Sequence, residues 1–183
     1  MSDNVLLRRM QVRDLDIVLD WRNDIRVRKH MFNSNLIKQE DHKAWFENAY
    51  NDPKRHLLLL FRANIPFGFA QLQFSNCATI ADWGFYVDPD GPAGQGKVLG
   101  QAVLSYGFEQ LRLHRITGRV LSQNLRSINF HKHLGFVQEG ILRSHHRTED
   151  GYQNVYLFGL QSHEFTAKWS TLYNMTRKNI FRC

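Results

Sequence analysis

The sequence predicts a single α/β domain built on a mixed, mostly antiparallel central sheet of about seven strands flanked by helices. Three observations carry that expectation. First, 183 residues fit one compact domain and leave no room for two of ordinary size; no repeat, low-complexity tract or Gly/Ser linker divides them, so residues 1–183 read as one unit. Second, the first half alternates short apolar runs with tight turns, the pattern of antiparallel hairpins. Third, the second half sets a strand, a glycine-rich turn, a helix and another strand in that order, which requires a crossover and hence some parallel pairing.

In chain order, residues 5–10 form the first strand. A helix follows over 14–21, with Leu15, Val18 and Leu19 spaced i, i+3, i+4 along one face. Residues 39–50 form a second helix in which His42, Trp45, Phe46 and Ala49 share a side, and Asn51-Asp52-Pro53 stops it. His42 therefore points where the apolar residues point. Residues 57–61 and 67–74 make a strand pair joined by Ala63-Asn64-Ile65-Pro66, and 80–87 makes the next strand. The turn over residues 88–97 leads into a helix with Leu99, Ala102, Val103 and Tyr106 on one face. Then come a strand at 115–121, a short helix at 126–133, and strands at 136–143 and 154–160. The tail from 163 to 183 has helical spacing at Phe165, Trp169 and Leu172.

Composition narrows the function classes. Hydrophobic residues make up 43% of the chain and include 13 Phe, enough apolar surface for a core, which excludes a disordered chain. The longest uninterrupted apolar run, residues 57–61, is too short to cross a bilayer, and residues 1–10 lack the apolar centre of a secretion signal, so a cytoplasmic protein without membrane contact is expected. Cys77 and Cys183 cannot build a disulfide framework or a Cys-rich zinc site. His131 and His133 stand two apart on a helix and His145-His146 are adjacent, both poor spacings for a shared metal, so no metal is expected. A net charge of +7 favours anionic partners. The basic residues come in ones and twos, without the block that marks a nucleic-acid-binding tail.

Gly94-Gln95-Gly96-Lys97 before a helix offers freed backbone N–H groups to an anion. A nucleotide P-loop would use Gly91, Gly96 and Lys97, but the next position must give magnesium a hydroxyl and is Val98. A dinucleotide fingerprint needs a third glycine where Leu99 stands, and belongs to a first strand-helix unit. A coenzyme A pyrophosphate loop needs only two nearby glycines and no metal, and has the fewest exceptions.

The strand at 83–87, this turn with its helix, and Asn124-Leu125-Arg126-Ser127 leading to His131-Lys132-His133-Leu134-Gly135-Phe136 together resemble the GNAT superfamily of acyl-CoA-dependent N-acetyltransferases. The resemblance implies acetyl-CoA as co-substrate, its pyrophosphate on the amides of Gly94, Gln95, Gly96 and Lys97, its pantetheine beside the strand ending at Val87, and a contact from Asn124. Trp21-Arg22-Asn23, His30-Met31-Phe32, His42 and Trp45 resemble the nucleotide-sugar branch, which acetylates the 4-amino group of a UDP-linked amino-dideoxy sugar on the way to pseudaminic acid. That likeness implies Arg22, Met31, Phe32, His42 and Trp45 around the sugar nucleotide.

Acetyl transfer from a thioester to an amine needs a neutral nucleophile, a stabilised oxyanion and a proton for the thiolate. A histidine in a cleft suits the base, so His42 is the first candidate, its alternative being a sugar-positioning role; Asp82, acting through water, is the second. Backbone N–H groups near Tyr86 and Val87, freed by a bulge, would meet the oxyanion. Many enzymes of the superfamily place a tyrosine acid four residues before the Gly-Phe pair; His131 stands there, and an imidazolium would serve. Lys97 can neutralise phosphate, and Arg22 can clamp a phosphate or carboxylate. Two rival readings are an acetyltransferase acting on protein N-termini, and a non-catalytic binder of acyl-CoA or nucleic acid. The sequence leaves the oligomeric state open.

Overall fold

The computed structural model describes residues 5–165. The tail positions Trp169 and Leu172 lie outside the described residues. The elements are β1 (Val5–Arg9), α1 (Leu15–Asn23), α2 (Ile25–Arg28), α3 (Gln39–Asn51), β2 (Arg55–Arg62), β3 (Ile65–Phe74), β4 (Ile80–Val87), α4 (Gln95–Ser105), β5 (Arg115–Leu121), α5 (Leu125–Leu134), β6 (Val137–Thr148) and β7 (Gly151–Gln161). They form one seven-stranded sheet in the order β1-β2-β3-β4-β5-β7-β6. Neighbours run antiparallel except β4 and β5, which run parallel because α4 returns the chain to the same end of the sheet. No helix among the described residues is long and apolar enough to cross a membrane.

Both faces of the sheet are covered, which explains the unbroken leucine run in β2. Leu58 and Leu60 face a core shared with Leu72, Leu99, Val103, Leu104 and Ile116, under α4 and α5. Leu57 and Leu59 face a second core with Met10, Val18, Trp21, Phe46 and Phe69, under α1 and α3. In α1 the buried stripe falls on Val18 and Trp21, while Leu19 stays partly exposed. α3 buries His42, Phe46 and Ala49 together, as its spacing predicts.

Two differences from the sequence reading have physical causes. β6 and β7 extend to Thr148 and Gly151, well beyond 143 and 154. Their outer halves are exposed on both faces, so ladder hydrogen bonds hold them without the apolar alternation by which a half-buried strand is recognised. Within β6 the register shifts between Leu142 and His146; Ser144 takes φ 47° there, and its N–H donates to Asn154 Oδ1 at 2.8 Å. The short α2 has four residues, too few for a period to register.

The feature that positions the site is the parting of β4 and β5. They pair only at Ile80–Arg115, Ala81–Ile116 and Asp82–Thr117. Beyond Asp82 the strands diverge and leave one edge of β4 open. The Asp88 N–H donates to the Phe67 carbonyl on the β3 side at 2.8 Å. Alternation along the strand then turns the amides of Tyr86 and Gly84 toward β3 and those of Phe85 and Val87 into the opening, while that of Trp83 faces Thr117 at the last paired rung. The bulge expected near Tyr86 and Val87 is therefore corrected: the β3–β4 register is continuous from Gly68–Val87 to Phe74–Ala81. Divergence of the strands frees the donors, and the Val87 amide is among them while that of Tyr86 is not.

Candidate active site

One cavity of about 270 Å³ lies against β4 on the α1/α3 side, lined by Arg22, Met31, Ile37, His42, Trp45, Phe69, Gln71, Gly84, Phe85 and Tyr86. The Phe85 ring packs on the opposite face, against Trp83 and Phe130, so its backbone is the part that meets the cavity. The cavity therefore reaches the edge of β4. Its wall is aromatic: His42 stacks on Trp45 at 5.1 Å, Trp45 meets Phe69 at 6.0 Å, and Phe69 meets Tyr86 at 5.1 Å.

Two polar atoms in this wall are buried without a hydrogen-bond partner, His42 Nε2 and Arg22 Nη1. The Leu15 carbonyl bears on the His42 ring and favours its protonated form, but less than burial opposes it, and Nε2 is left buried without a partner. Burial lowers the imidazole pKa below 6.5, so His42 is neutral at physiological pH and able to take a proton. Arg22 donates through Nη2 to the Asn33 carbonyl at 2.5 Å, which leaves Nη1 for a ligand. Tyr86 turns its hydroxyl to the Val18 carbonyl at 3.5 Å, and burial raises its pKa strongly, so it remains a phenol.

A second group of residues lies at the open end of β4. Gly94 caps α4 with φ 90°, a conformation that favours glycine, and a Cβ there would meet nothing within 4 Å. The space ahead of the helix is open. The Lys97 N–H donates back to the Gly94 carbonyl at 3.1 Å, so of the four amides from 94 to 97 that of Lys97 is engaged, and the helix-start amides of Gln95 and Gly96, with that of Gly94 before them, are left for an anion. Lys97 itself is exposed, and the Gln95 side chain turns inward against Gly91, where a Cβ would come within 2.1 Å of its Oε1. Asn124 Oδ1 caps α5 by accepting from the Ser127 N–H at 3.0 Å, leaving its amide N–H groups for a ligand.

Three expected site residues fall elsewhere. His131 is 2% exposed; its Nε2 accepts from Trp83 Nε1 at 3.0 Å and its Nδ1 donates to the Ser127 carbonyl at 2.8 Å. With both nitrogens committed, and its pKa pushed down to about 4 by burial, it is a neutral core residue and not the imidazolium acid. Gly118 makes room for it, since a Cβ there would lie 2.7 Å from His131 Nε2. Asp82 is exposed outside the cavity and accepts from Thr117 Oγ1, tying the last rung before the strands part. Phe32 is 43% exposed and does not line this cavity; it meets His146 and Arg119 instead. Conversely, Ile37, Phe69, Gln71, Gly84 and Phe85 line the cavity without having been expected. A glycine inside an apolar strand, Gly84, was the available signal, because it marks close approach to a backbone.

The state of His131 has a consequence for stability. The folded chain holds it neutral down to about pH 4, whereas the unfolded imidazole takes up a proton near 6.5. The unfolded state binds more protons in that window, so stability is whole above pH 6.5 and falls as pH drops toward 4, by about 3 kcal/mol from this group. Urea unfolding across that range should show the loss, and His131→Gln should show a shallower one.

The comparisons agree with this architecture. Residues 4–137 match the acetyltransferase (GNAT) domain model. The uncharacterized N-acetyltransferase p20 of Bacillus licheniformis is 27% identical over 181 residues, covering 91% of this chain and 97% of that protein. Acetyltransferase PseH of Campylobacter jejuni is 26% identical over 125 residues, covering 68% of this chain and 77% of that one. Among solved structures, spermidine N-acetyltransferase from Vibrio cholerae in complex with CoA and spermine superposes with a TM-score of 0.82 at 19% identity, covering 88% of this chain and 98% of that one, a likeness of fold. With a family model spanning most of its length, an opened β4 edge and a glycine-capped α4, the chain belongs to the GNAT family and is an acetyl-CoA-dependent N-acetyltransferase.

Proposed function

We propose that this enzyme acetylates the amino group of a UDP-linked amino-dideoxy sugar, at the 4-amino position, by direct attack on acetyl-CoA. The observation that carries the proposal is the pair of unpartnered buried atoms, His42 Nε2 and Arg22 Nη1, in one small cavity at the edge of β4. A cavity with a neutral base and one unpartnered guanidinium nitrogen suits an acceptor bearing an amine beside an anionic or hydroxyl-rich group. A polyamine would bring further positive charge against Arg22. A peptide needs an extended groove, whereas this cavity is small, at about 270 Å³. The likeness of residues 21–45 to nucleotide-sugar enzymes, and the match to acetyltransferase PseH, support the same reading.

In this reading the amides of Gln95 and Gly96 hold the pyrophosphate of acetyl-CoA at the α4 N-terminus. The open edge of β4 lines the pantetheine, and the Val87 N–H receives the carbonyl oxygen as charge develops. His42 Nε2 takes the proton of the attacking amine as its nitrogen bonds to the carbonyl carbon. The C–S bond then breaks, and the thiolate, of pKa near about 8.5, takes its proton from solvent. Cys77 is exposed and lines no part of the cavity, so no acetyl-cysteine is formed.

The test is thiol release from acetyl-CoA by the purified chain with a panel of amines: a UDP-4-amino-dideoxy sugar, spermidine and an N-terminal peptide. Turnover with the sugar nucleotide is expected, and Arg22→Met should raise its KM about tenfold. Turnover with spermidine or the peptide and none with the sugar nucleotide would overturn the acceptor assignment.

A further inference from the structure

The segment from Asp24 to Asn33 crosses the mouth of the opening between β4 and β5. On the β4 side, Arg26 Nη1 pairs with the Asp90 carboxylate at 2.7 Å and donates to the Pro89 carbonyl at 3.3 Å, just past the end of that strand. On the β5 side, Gln123 Nε2 donates to the Lys29 carbonyl at 3.2 Å. The Arg119 guanidinium lies 5.7 Å over the Phe32 ring, and His146 of β6 meets the same ring edge-on at 5.2 Å. The two strands that part below are thus rejoined above by this one stretch of chain.

The same stretch is tied inward. Asn33 supplies the carbonyl that holds Arg22, and Met31 lines the cavity. Beyond it, Asn23 exchanges two hydrogen bonds of 2.8 Å with the backbone of Ile37, a further lining residue. Contacts therefore run from Arg119 and His146 to Phe32, and from Gln123 to Lys29, along one segment whose Asn33 carbonyl holds the Arg22 guanidinium. They continue on the far side, where Asn154 holds the β6 backbone at Ser144, two residues before His146.

We propose that residues 24–33 are a strap fixed at both lips of the opening, and that Phe32, Arg119 and Gln123 are positioning residues that set Arg22 and Met31 without touching the acceptor. The proposal rests on the cavity being the acceptor site. It accounts for an exposed aromatic ring at 43% exposure, held by a cation and an imidazole at the surface. Exposed contacts of this kind are individually weak, so removing two should free the β5 side of the strap.

The test compares Phe32→Ala/Gln123→Ala with wild type and with Phe32→Tyr, which keeps the ring. Trp45 lines the cavity beneath the strap. Acrylamide quenching of Trp45, taken as the difference from the same chain carrying Trp45→Phe, should rise about twofold in the double variant and stay at the wild-type level in Phe32→Tyr. With the UDP-4-amino-dideoxy sugar and acetyl-CoA, KM for the sugar should rise about tenfold in the double variant while kcat changes less than about threefold. Unchanged quenching overturns the strap whatever the acceptor is, and raised quenching with unchanged KM overturns the positioning role. Raised quenching in a chain whose wild type leaves that sugar unacetylated supports the strap and sinks the acceptor assignment alone.

Discussion

Replacing His42 with glutamine is expected to lower kcat by about 100-fold or more and to leave the affinity for coenzyme A within about twofold, because on the proposed mechanism the change removes the base from a cavity that no α4 residue lines. Steady-state thiol release and calorimetric titration with CoA measure the two quantities. The pH profile gives an independent reading. Transfer requires the neutral imidazole, and burial holds the His42 pKa below 6.5. Apart from the limb set by the acceptor amine's own ammonium, the rate should therefore decline only below pH 6.5. In His42→Gln that acid limb should disappear along with the rate. An acid limb above pH 6.5 that does not follow the pKa of the acceptor amine would show that another group supplies the base.

Val87→Pro should cost about 100-fold in kcat while the protein stays folded. The Val87 N–H faces the opening and makes no bond to β3, so proline removes the proposed oxyanion donor without removing a rung of the ladder. Tyr86→Pro is the contrast. Its amide points to β3 opposite Phe69, and proline there should destabilise the central sheet. Circular dichroism melts separate the two cases, and kcat then isolates the oxyanion contribution. Full activity in a folded Val87→Pro protein would move the oxyanion donor elsewhere.

Much of the scaffold was legible because its strands are buried. β4 and β5 were placed with the bounds the structure has, since each is a run of β-branched, aromatic or small residues ended by turn residues. The helix carrying His42 was legible from the spacing of Trp45, Phe46 and Ala49. The long β6–β7 ribbon was not, because chain segments exposed on both faces carry no periodic apolar signal. In the site, a glycine caps α4 as the turn suggested, while Arg22, Met31, His42 and Trp45, which line one cavity, were brought forward by the family resemblance and by no local pattern. The divergence of β4 from β5 is a property of pairing between segments more than 30 residues apart, and no local pattern encodes it. His131 shows a different limit. Its position relative to Gly135-Phe136 suggested an acid, but that position cannot show that Trp83 and the Ser127 carbonyl occupy both ring nitrogens.

The arrangement as a whole depends on free backbone N–H groups at the open edge of β4 and the start of α4. An amide-resolved NMR titration with acetyl-CoA reads these directly. The largest shifts should fall on Phe85, Val87, Gln95 and Gly96, with the amides of Tyr86 and Gly84 moving little because β3 already holds them. Saturating acetyl-CoA that leaves Val87, Gln95 and Gly96 unmoved while shifting amides on the β6–β7 ribbon would contradict the account.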